Sequence, residues 1–306
     1  ALSVRPSLIV ADEAVSALAI HADFGARASH MTLLVMRAAA DNLTPVTLEL
    51  GGKSPVVIGA GADLEKTAAR VMNGKTLNAG QVCLAPDYVL APQASIAPFV
   101  EASKAAAAKM FPRIKDNPDY TSMVNQRHYD RVRALVEDAR AKGAEIVEIN
   151  PGNEDFTQQE HRKIPPTLVL NATDEMAVMQ EEIFGPVMPV RAYESLDGAI
   201  DEINARPRPL ALYYFGDDDS ERERLLDRTL SGGVTVNDVV FHFSMPDLPF
   251  GGVGASGIGA YHGHRGFTEF SHERAVYHQT GSEILAMLRP PYGAKFRKQV
   301  EGRIKR

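Results

Sequence analysis

Between Ser54 and Asn237, short apolar runs alternate with stretches whose apolar residues recur at helical spacing. Pro55-Val56-Val57-Ile58-Gly59 is a continuous apolar run closed by glycine, the pattern of a buried strand. From Asp63 to Asn78, Leu64, Ala68, Val71 and Met72 share one face of a 3.6-residue period. Asp63 stands where an N-cap belongs and Gly80 where a left-handed stop belongs. The same reasoning predicts strands at Tyr88–Leu90, Glu145–Ile149, Thr167–Leu170, Val187–Val190, Leu210–Phe215 and Gly233–Asn237. It predicts helices over Ser95–Met110, Gln126–Lys142, Ser195–Ala205 and Asp219–Leu230, with Val132, Leu135, Val136 and Ala139 of the second turned inward. Strand–helix alternation implies β-α-β units, hence an α/β fold with a doubly wound, mainly parallel sheet. In such sheets the chemistry is expected outside the carboxyl ends of the strands.

After Phe241 the pattern changes. Gly251, Gly252, Gly254, Gly257, Gly259, Gly263 and Gly266 crowd into sixteen residues, which predicts a long loop of tight turns. Phe270–Gln279 is predicted as an edge strand, and Pro290-Pro291-Tyr292-Gly293 as the end of the ordered pattern.

Composition narrows the function classes. The 306 residues are 44% hydrophobic and 24% charged, as in folded globular chains, and suffice for one large domain or two ordinary ones. The formal charge is −6, with no basic block before Lys295–Arg306, so nucleic acid is not an expected partner. That basic tail reads as a solvated end. The single cysteine, Cys83, excludes an intrachain disulfide framework and suits the reducing cytoplasm. No apolar run reaches the length of a membrane span, and the first residues lack a signal-peptide pattern. The chain does not start with methionine, which points to a start inside a longer protein or to processing.

Cys83 lies in Asn78-Ala79-Gly80-Gln81-Val82-Cys83-Leu84-Ala85-Pro86. A lone cysteine is most often buried packing. Bracketed by Gly80 and Pro86 in a loop after a helix, it is also placed to act as a nucleophile with backbone N–H groups beside it as half an oxyanion hole. Glu49, in Val46-Thr47-Leu48-Glu49-Leu50-Gly51-Gly52, is either an exposed edge-strand glutamate or a general base among apolar neighbours. Glu181 and Glu182, before Ile183-Phe184-Gly185-Pro186, point in different directions and so do not make a paired acid and base. Either they are solvated beside a core phenylalanine, or one binds a ribose while Phe184 packs on a flat ring. Gly252-Val253-Gly254-Ala255-Ser256-Gly257 spells a dinucleotide fingerprint, but Pro249 stands where its strand belongs and no amphipathic helix follows, so it reads as a turn cluster. His262, His264, His272 and His278 match no zinc spacing, and no metal is expected.

Four motifs in order resemble the aldehyde dehydrogenase superfamily: Leu48-Glu49-Leu50-Gly51-Gly52-Lys53-Ser54-Pro55, Gly80-Gln81-Val82-Cys83, Glu181-Glu182-Ile183-Phe184-Gly185-Pro186 and Leu248-Pro249-Phe250-Gly251-Gly252. Ala85-Pro86-Asp87-Tyr88, Ser231-Gly232-Gly233-Val234-Thr235-Val236-Asn237-Asp238 and Pro290-Pro291-Tyr292-Gly293 are similar to the class 3 branch. Leu210 to Phe215 and Gly259-Ala260-Tyr261-His262-Gly263 are most similar to coniferyl aldehyde dehydrogenases. The resemblance runs from about Val35 to about Gly293. It implies oxidation of an aldehyde, with an aromatic one favoured, to the acid through a thioester on Cys83. NAD or NADP would be the cofactor and Glu49 the base that activates water. It also implies Glu182 on the nicotinamide ribose, Phe184 near the nicotinamide, supporting roles for Lys53 and Phe250, and a homo-oligomer, a dimer, in the full-length protein.

The implied layout is a partial cofactor-domain remnant over residues 1–51, a catalytic domain over 52–246, and an active-site loop with an oligomerisation segment over 247–306. Family members carry roughly another 150 residues upstream, the size of a dinucleotide domain. Ala26 to Leu33 stand where a glycine turn for the pyrophosphate belongs, and residues 1–34 do not follow the family pattern. A truncated chain with a frame-shifted head or a misplaced start is therefore expected. Two alternatives to the dehydrogenase stay open: a fragment that does not bind cofactor, and a cysteine-dependent esterase.

Overall fold

The structure, a computed structural model, describes residues 9–11, 24–281 and 289–304. Most of the atypical head, residues 1–8 and 12–23, lies outside the described residues. The chain divides into two compact units, Ala1–Phe270 and Ser271–Arg306.

In the first unit, β1 (Ile9–Ala11) is followed by α1 (Phe24–Ala40), β2 (Val46–Glu49) and β3 (Pro55–Ile58). Next come α2 (Leu64–Thr76), β4 (Tyr88–Pro92), α3 (Gln93–Met110), α4 (Gln126–Ala141), β5 (Glu145–Glu148) and β6 (Thr167–Leu170). Then follow α5 (Ala177–Gln180), β7 (Val187–Tyr193), α6 (Leu196–Asn204), β8 (Ala211–Phe215), α7 (Asp219–Arg228) and β9 (Gly233–Val236). Among the described residues, seven strands form one sheet in the order β5-β6-β7-β4-β3-β8-β9. All its pairings are parallel except β5 with β6. Only a polar loop joins those two strands, with no crossover helix, so β6 must run back along β5.

The strands read as unbroken apolar runs because both sheet faces are covered. On one face Val57, Leu90, Val169 and Leu212 meet Val132, Leu135 and Val136 of α4 and Ile200 of α6. On the other, Val56, Ile58, Val89 and Tyr213 meet Ala68, Val71 and Met72 of α2 and Phe99 of α3. The Asp63 cap holds as the sequence predicts, accepting from the Lys66 amide at 3.1 Å, and Ser195, predicted within its helix, instead caps it by accepting from the Gly198 amide at 3.2 Å.

A smaller sheet sets β1 parallel and β10 (Gly257–Ile258) antiparallel to β2. The glycine-rich segment is not loop throughout, since it is framed by the short helices α8 (Phe241–Ser244) and α9 (Gly263–Glu269). Two expectations fail from Phe270 onward. Phe270–Gln279 forms no strand: its residues are irregular and largely exposed, and Glu273 and Arg274 interrupt the apolar pattern. Order also resumes after Gly293, where α10 (Ala294–Ile304) begins. No described helix is long and apolar enough to cross a membrane.

Candidate active site

Cys83 hangs from the end of α2. Beyond Thr76 the backbone takes three left-handed steps, Asn78 (φ 49°), Ala79 (φ 53°) and Gly80 (φ 71°), before the loop that enters β4. Left-handed alanine is unfavourable by about 1–2 kcal/mol, and burial of the Ala79 methyl in the core opposes that strain. Gly80 is required by contact as well as by conformation. A Cβ there would sit 2.7 Å from the Gly185 carbonyl carbon, and a Cβ on Gly185 would sit 2.7 and 2.9 Å from the Val132 methyls. The two loops therefore touch backbone to backbone, seated on α4.

Gln81 clamps the cysteine loop, donating to Ser122 O at 3.1 Å and accepting from Val124 N at 2.9 Å. Cys83 is half-buried. With Val82 and Tyr261 it packs against the cluster that contains Leu84, Tyr213, Val239 and Phe250.

A buried charge cluster fixes the second loop. The Lys53 ammonium donates to Asp87, to Val178 O at 2.8 Å and to Glu181 O at 2.9 Å. The other Asp87 oxygen accepts from Ile183 N at 3.0 Å. Arg131 donates to Glu182 O at 3.2 Å and to Ile183 O, and pairs with Glu181 at 3.4 Å. Lys75, on the last turn of α2, is 1% exposed. Burial pushes its ammonium down to about 8, although Asp87 and Glu182 favour the charge. Within this frame Glu182 and Phe184 remain half-buried, and Phe184 has a φ of 47°.

Glu49 ends β2. It is opposite Gly257 of β10, and Leu50 N donates to Ser256 O at 3.0 Å. The Tyr261 hydroxyl donates to the Glu49 carboxylate. Tyr261 is held in turn by paired backbone bonds to Phe250, both 2.7 Å, and by an edge-on ring contact at 5.7 Å. Phe250 is itself buried. The glycine run at 252–257 is a tight turn, closed by Val253 N on Ser256 Oγ at 2.9 Å, and it leads into β10 rather than into a helix. Nearby His242 shares 2.8 Å with Thr235 Oγ1, and burial lowers its ring to about 4, so it is neutral.

One expectation about position is overturned. Lys53–Ser54, Cys83–Asp87 and Glu181–Pro186 directly precede β3, β4 and β7, three mutually parallel neighbours. They gather at the amino ends of these strands, not at the carboxyl ends. Two of the loops return from helices α2 and α5, so the helix-to-strand connections carry the groups. The residues that sequence reasoning passed over are Tyr261, Asp87, Lys75 and Arg131. The site thus offers a thiol in a clamped loop, a carboxylate held by a phenol, and a second carboxylate on a backbone pinned by two cations.

Residues 28–276 match the family model described as the aldehyde dehydrogenase family, a match that starts within α1, ahead of Val35. A probable coniferyl aldehyde dehydrogenase of Caulobacter vibrioides is 64% identical over 89% of the chain and 56% of its own length. The substrate-bound state of Staphylococcus aureus AldH superposes with a TM-score of 0.81 at 38% identity, covering 89% of this chain and 58% of that one. An NAD-dependent aldehyde dehydrogenase from Sinorhizobium meliloti superposes with a TM-score of 0.72 at 25% identity, covering 85% and 50%. The chain spans about half the length of the curated relatives it matches. With the family model matched over most of its residues and the sheet shared with solved members, the chain belongs to the aldehyde dehydrogenase family.

Proposed function

We propose that the chain is the catalytic half of an NAD- or NADP-dependent aldehyde dehydrogenase that oxidises an aromatic aldehyde to its acid. Residues 52–246 are the catalytic domain in this reading. Residues 1–51 are a remnant of the cofactor domain, and 247–306 are the active-site loop with the segment through which the full protein dimerises. The observation that carries it is the backbone contact of Gly80 with Gly185, which sets the cysteine loop against the Glu181–Pro186 loop. The names of the Caulobacter and Sinorhizobium proteins favour the aromatic substrate and the nicotinamide.

Cys83 attacks the carbonyl carbon as a thiolate and gives a thiohemiacetal. When bound at Glu182 and Phe184, a nicotinamide would supply the acceptor for the hydride that this adduct must lose to reach the thioester level. Glu49 then takes a proton from the water that attacks the thioester, and the Cys83 thiolate leaves with the electron pair. The Tyr261 hydroxyl donates to the Glu49 carboxylate and so orients it for this step. The residues fit the ribose end of the cofactor: Glu182 and Phe184 are half-exposed on a loop that Lys53 and Arg131 hold rigid. Glu182 would accept from ribose hydroxyls, and Phe184 would border the ring.

The test is nicotinamide reduction by the purified chain with coniferaldehyde and saturating NAD+ or NADP+, beside Cys83→Ala. Turnover that vanishes in Cys83→Ala is the expected result. Turnover that survives the substitution would remove Cys83 from the mechanism. A well-folded chain without turnover would support the alternative of a fragment that does not bind cofactor.

A further inference from the structure

Residues 149–166 join β5 to β6 without forming a helix or a strand. Loops of more than about 15 residues with no regular structure are uncommon in compact domains, and they are usually either functional or disordered. This one is tied down along its length. The Glu154 carboxylate, on a side chain 7% exposed, accepts from Ile114 N at 2.6 Å and from Lys115 N at 3.2 Å. Lys163 N donates to Gln159 Oε1 at 2.7 Å, and Gln159 Nε2 donates back to Lys163 O at 2.8 Å. Met123 N donates to Arg162 O at 3.1 Å, and the Tyr120 hydroxyl donates to Ile164 O at 2.7 Å. Held in this way, the loop forms with α4 a cavity of about 310 Å³, at the small end of the range of about 300–1,000 Å³ for small-molecule sites. None of the cavity's lining residues belongs to the site described above.

The lining supplies donors that lack an acid of their own. Lys163 is 6% exposed, and its ammonium donates to Ile114 O at 3.2 Å and to Asn117 O, which leaves one of its three donors. Arg133 lays its guanidinium over the Tyr129 ring, 5.7 Å from the centroid, and donates to the phenol oxygen at 3.4 Å. Gln159 donates to the same oxygen at 3.3 Å, so neither contact consumes the Tyr129 O–H. Among the described residues, no carboxylate forms an ion pair with Arg133 or Lys163. The neighbouring acids are engaged elsewhere. Glu154 serves the two amides above, Asp155 accepts from Thr157 N at 2.8 Å and from its Oγ1 at 2.6 Å, and Glu137 pairs with Arg140 at 3.4 Å. Glu148 is exposed at the end of β5, where water and salt screen it. The rest of the wall is apolar, with Val136 and Ile164 buried and Phe156 half-buried. A cation in this cavity would face Arg133 and Lys163, and a neutral apolar molecule would leave the donors unmet. A bare inorganic anion would leave the apolar wall unused. One carboxylate carried on a ring satisfies both halves.

We propose that this cavity binds a small aromatic carboxylate, with its carboxylate on Arg133, Lys163 and the Tyr129 hydroxyl and its ring against Phe156. Acids of this class are also what the proposed reaction releases, but the donors and the apolar wall call for one whether or not that reaction occurs.

The experiment is titration calorimetry of the full chain with cinnamate, with cinnamyl alcohol and with inorganic phosphate. Cinnamate is expected to bind, and the alcohol, similar in shape but uncharged, to bind at least about tenfold more weakly, as hydrogen bonds to a charged group require. Arg133→Gln and Tyr129→Phe should each weaken cinnamate about tenfold. Phe156→Ala should weaken it about fivefold while keeping the preference for the acid over the alcohol. Arg133 is exposed and Tyr129→Phe keeps the buried ring, so melting and the reaction of Cys83 with dithiodipyridine should not change in either. Lys163 stays intact because it also holds the carbonyls of Ile114 and Asn117. No binding of cinnamate would overturn the proposal, as would equal affinity for the alcohol. Cinnamate binding indifferent to all three substitutions would place the acid elsewhere, the cleft at Cys83 included, and would overturn it too. Phosphate that binds more tightly than cinnamate and depends on Arg133 would assign the cavity to free phosphate, which also overturns the proposal.

Discussion

Replacing Asp87 tests the buried charge cluster most directly. Its side chain is 4% exposed and that of its partner Lys53 is 11% exposed. One oxygen meets Lys53 and the other meets Ile183 N, so Asp87→Ala removes two contacts at once. Lys53 keeps only the carbonyls of Val178 and Glu181, and Lys75 loses the largest of the nearby charges that favour its ammonium. Breaking a buried pair from one side costs about 3–5 kcal/mol, and an orphaned buried N–H about 1–3 kcal/mol. These overlap, because both register the same lost carboxylate, and the expected total is about 4–5 kcal/mol. Domains are typically stable by about 5–15 kcal/mol, so the loss is a large fraction. Asp87→Asn keeps an acceptor for Ile183 and should cost about 3 kcal/mol. Lys53→Met removes its own charge and should cost less than Asp87→Ala. Urea unfolding followed by circular dichroism gives the three midpoints. The thiol offers an independent readout, since Asp87 closes the loop that carries Cys83. Dithiodipyridine should react faster with Cys83 in Asp87→Ala than in the parent chain. A destabilisation below about 1 kcal/mol for Asp87→Ala would refute the view that this charge is enclosed and essential.

Lys75 should impose an alkaline rise in stability. Its pKa is about 8 in the fold against 10.5 unfolded, so the unfolded chain holds more protons between those values and stability climbs from pH 8 to 10. Lys75→Met should flatten that slope by about 3 kcal/mol, and urea midpoints at several pH values would show it. His242 acts at the other end, at about 4 folded against 6.5 unfolded. Its contribution is complete above pH 6.5 and is lost as pH falls toward 4. His242→Gln should remove about 3 kcal/mol of acid sensitivity, read from melting between pH 7 and 4. Tyr261→Phe should leave acylation of Cys83 by p-nitrophenyl acetate intact and slow deacylation about tenfold, the order expected for losing one hydrogen bond to a carboxylate. A burst followed by a slower steady state would show it, and unchanged deacylation would remove Tyr261 from the handling of Glu49.

Elements with a local cause were legible. The continuous run at Pro55–Ile58 and the stripes of α2 and α4 needed only a period and a cap, and the predicted ends fall within a few residues of those observed. One buried group was legible without being read: Lys75 continues the stripe Ala68, Val71, Met72 on the inward face of α2. What escaped was fixed from a distance. The two residues of β10 form a strand only because Glu49 and Leu48 lie opposite them. The reverse error at Phe270–Gln279 has the same cause. Phe270, Val276 and Tyr277 supply strand-like residues, but no strand pairs with them among the described residues. Lys53, Cys83 and Glu182 could be named from their motifs. That their loops meet at the amino ends of β3, β4 and β7 depends on strand order, which no local pattern encodes.

Glu49 and the phenol that holds it are 212 positions apart. A ribosome therefore delivers the carboxylate early and its partner late. The strands as far as Val236 and the loop bearing Cys83 are complete before Tyr261 emerges. On the proposed chemistry, a nascent or clipped chain that ends before Tyr261 would own its nucleophile before its hydrolytic step. It would take up an acyl group and, with Glu49 lacking its phenol, release it slowly. Docking of the late loop is what brings release into step with capture.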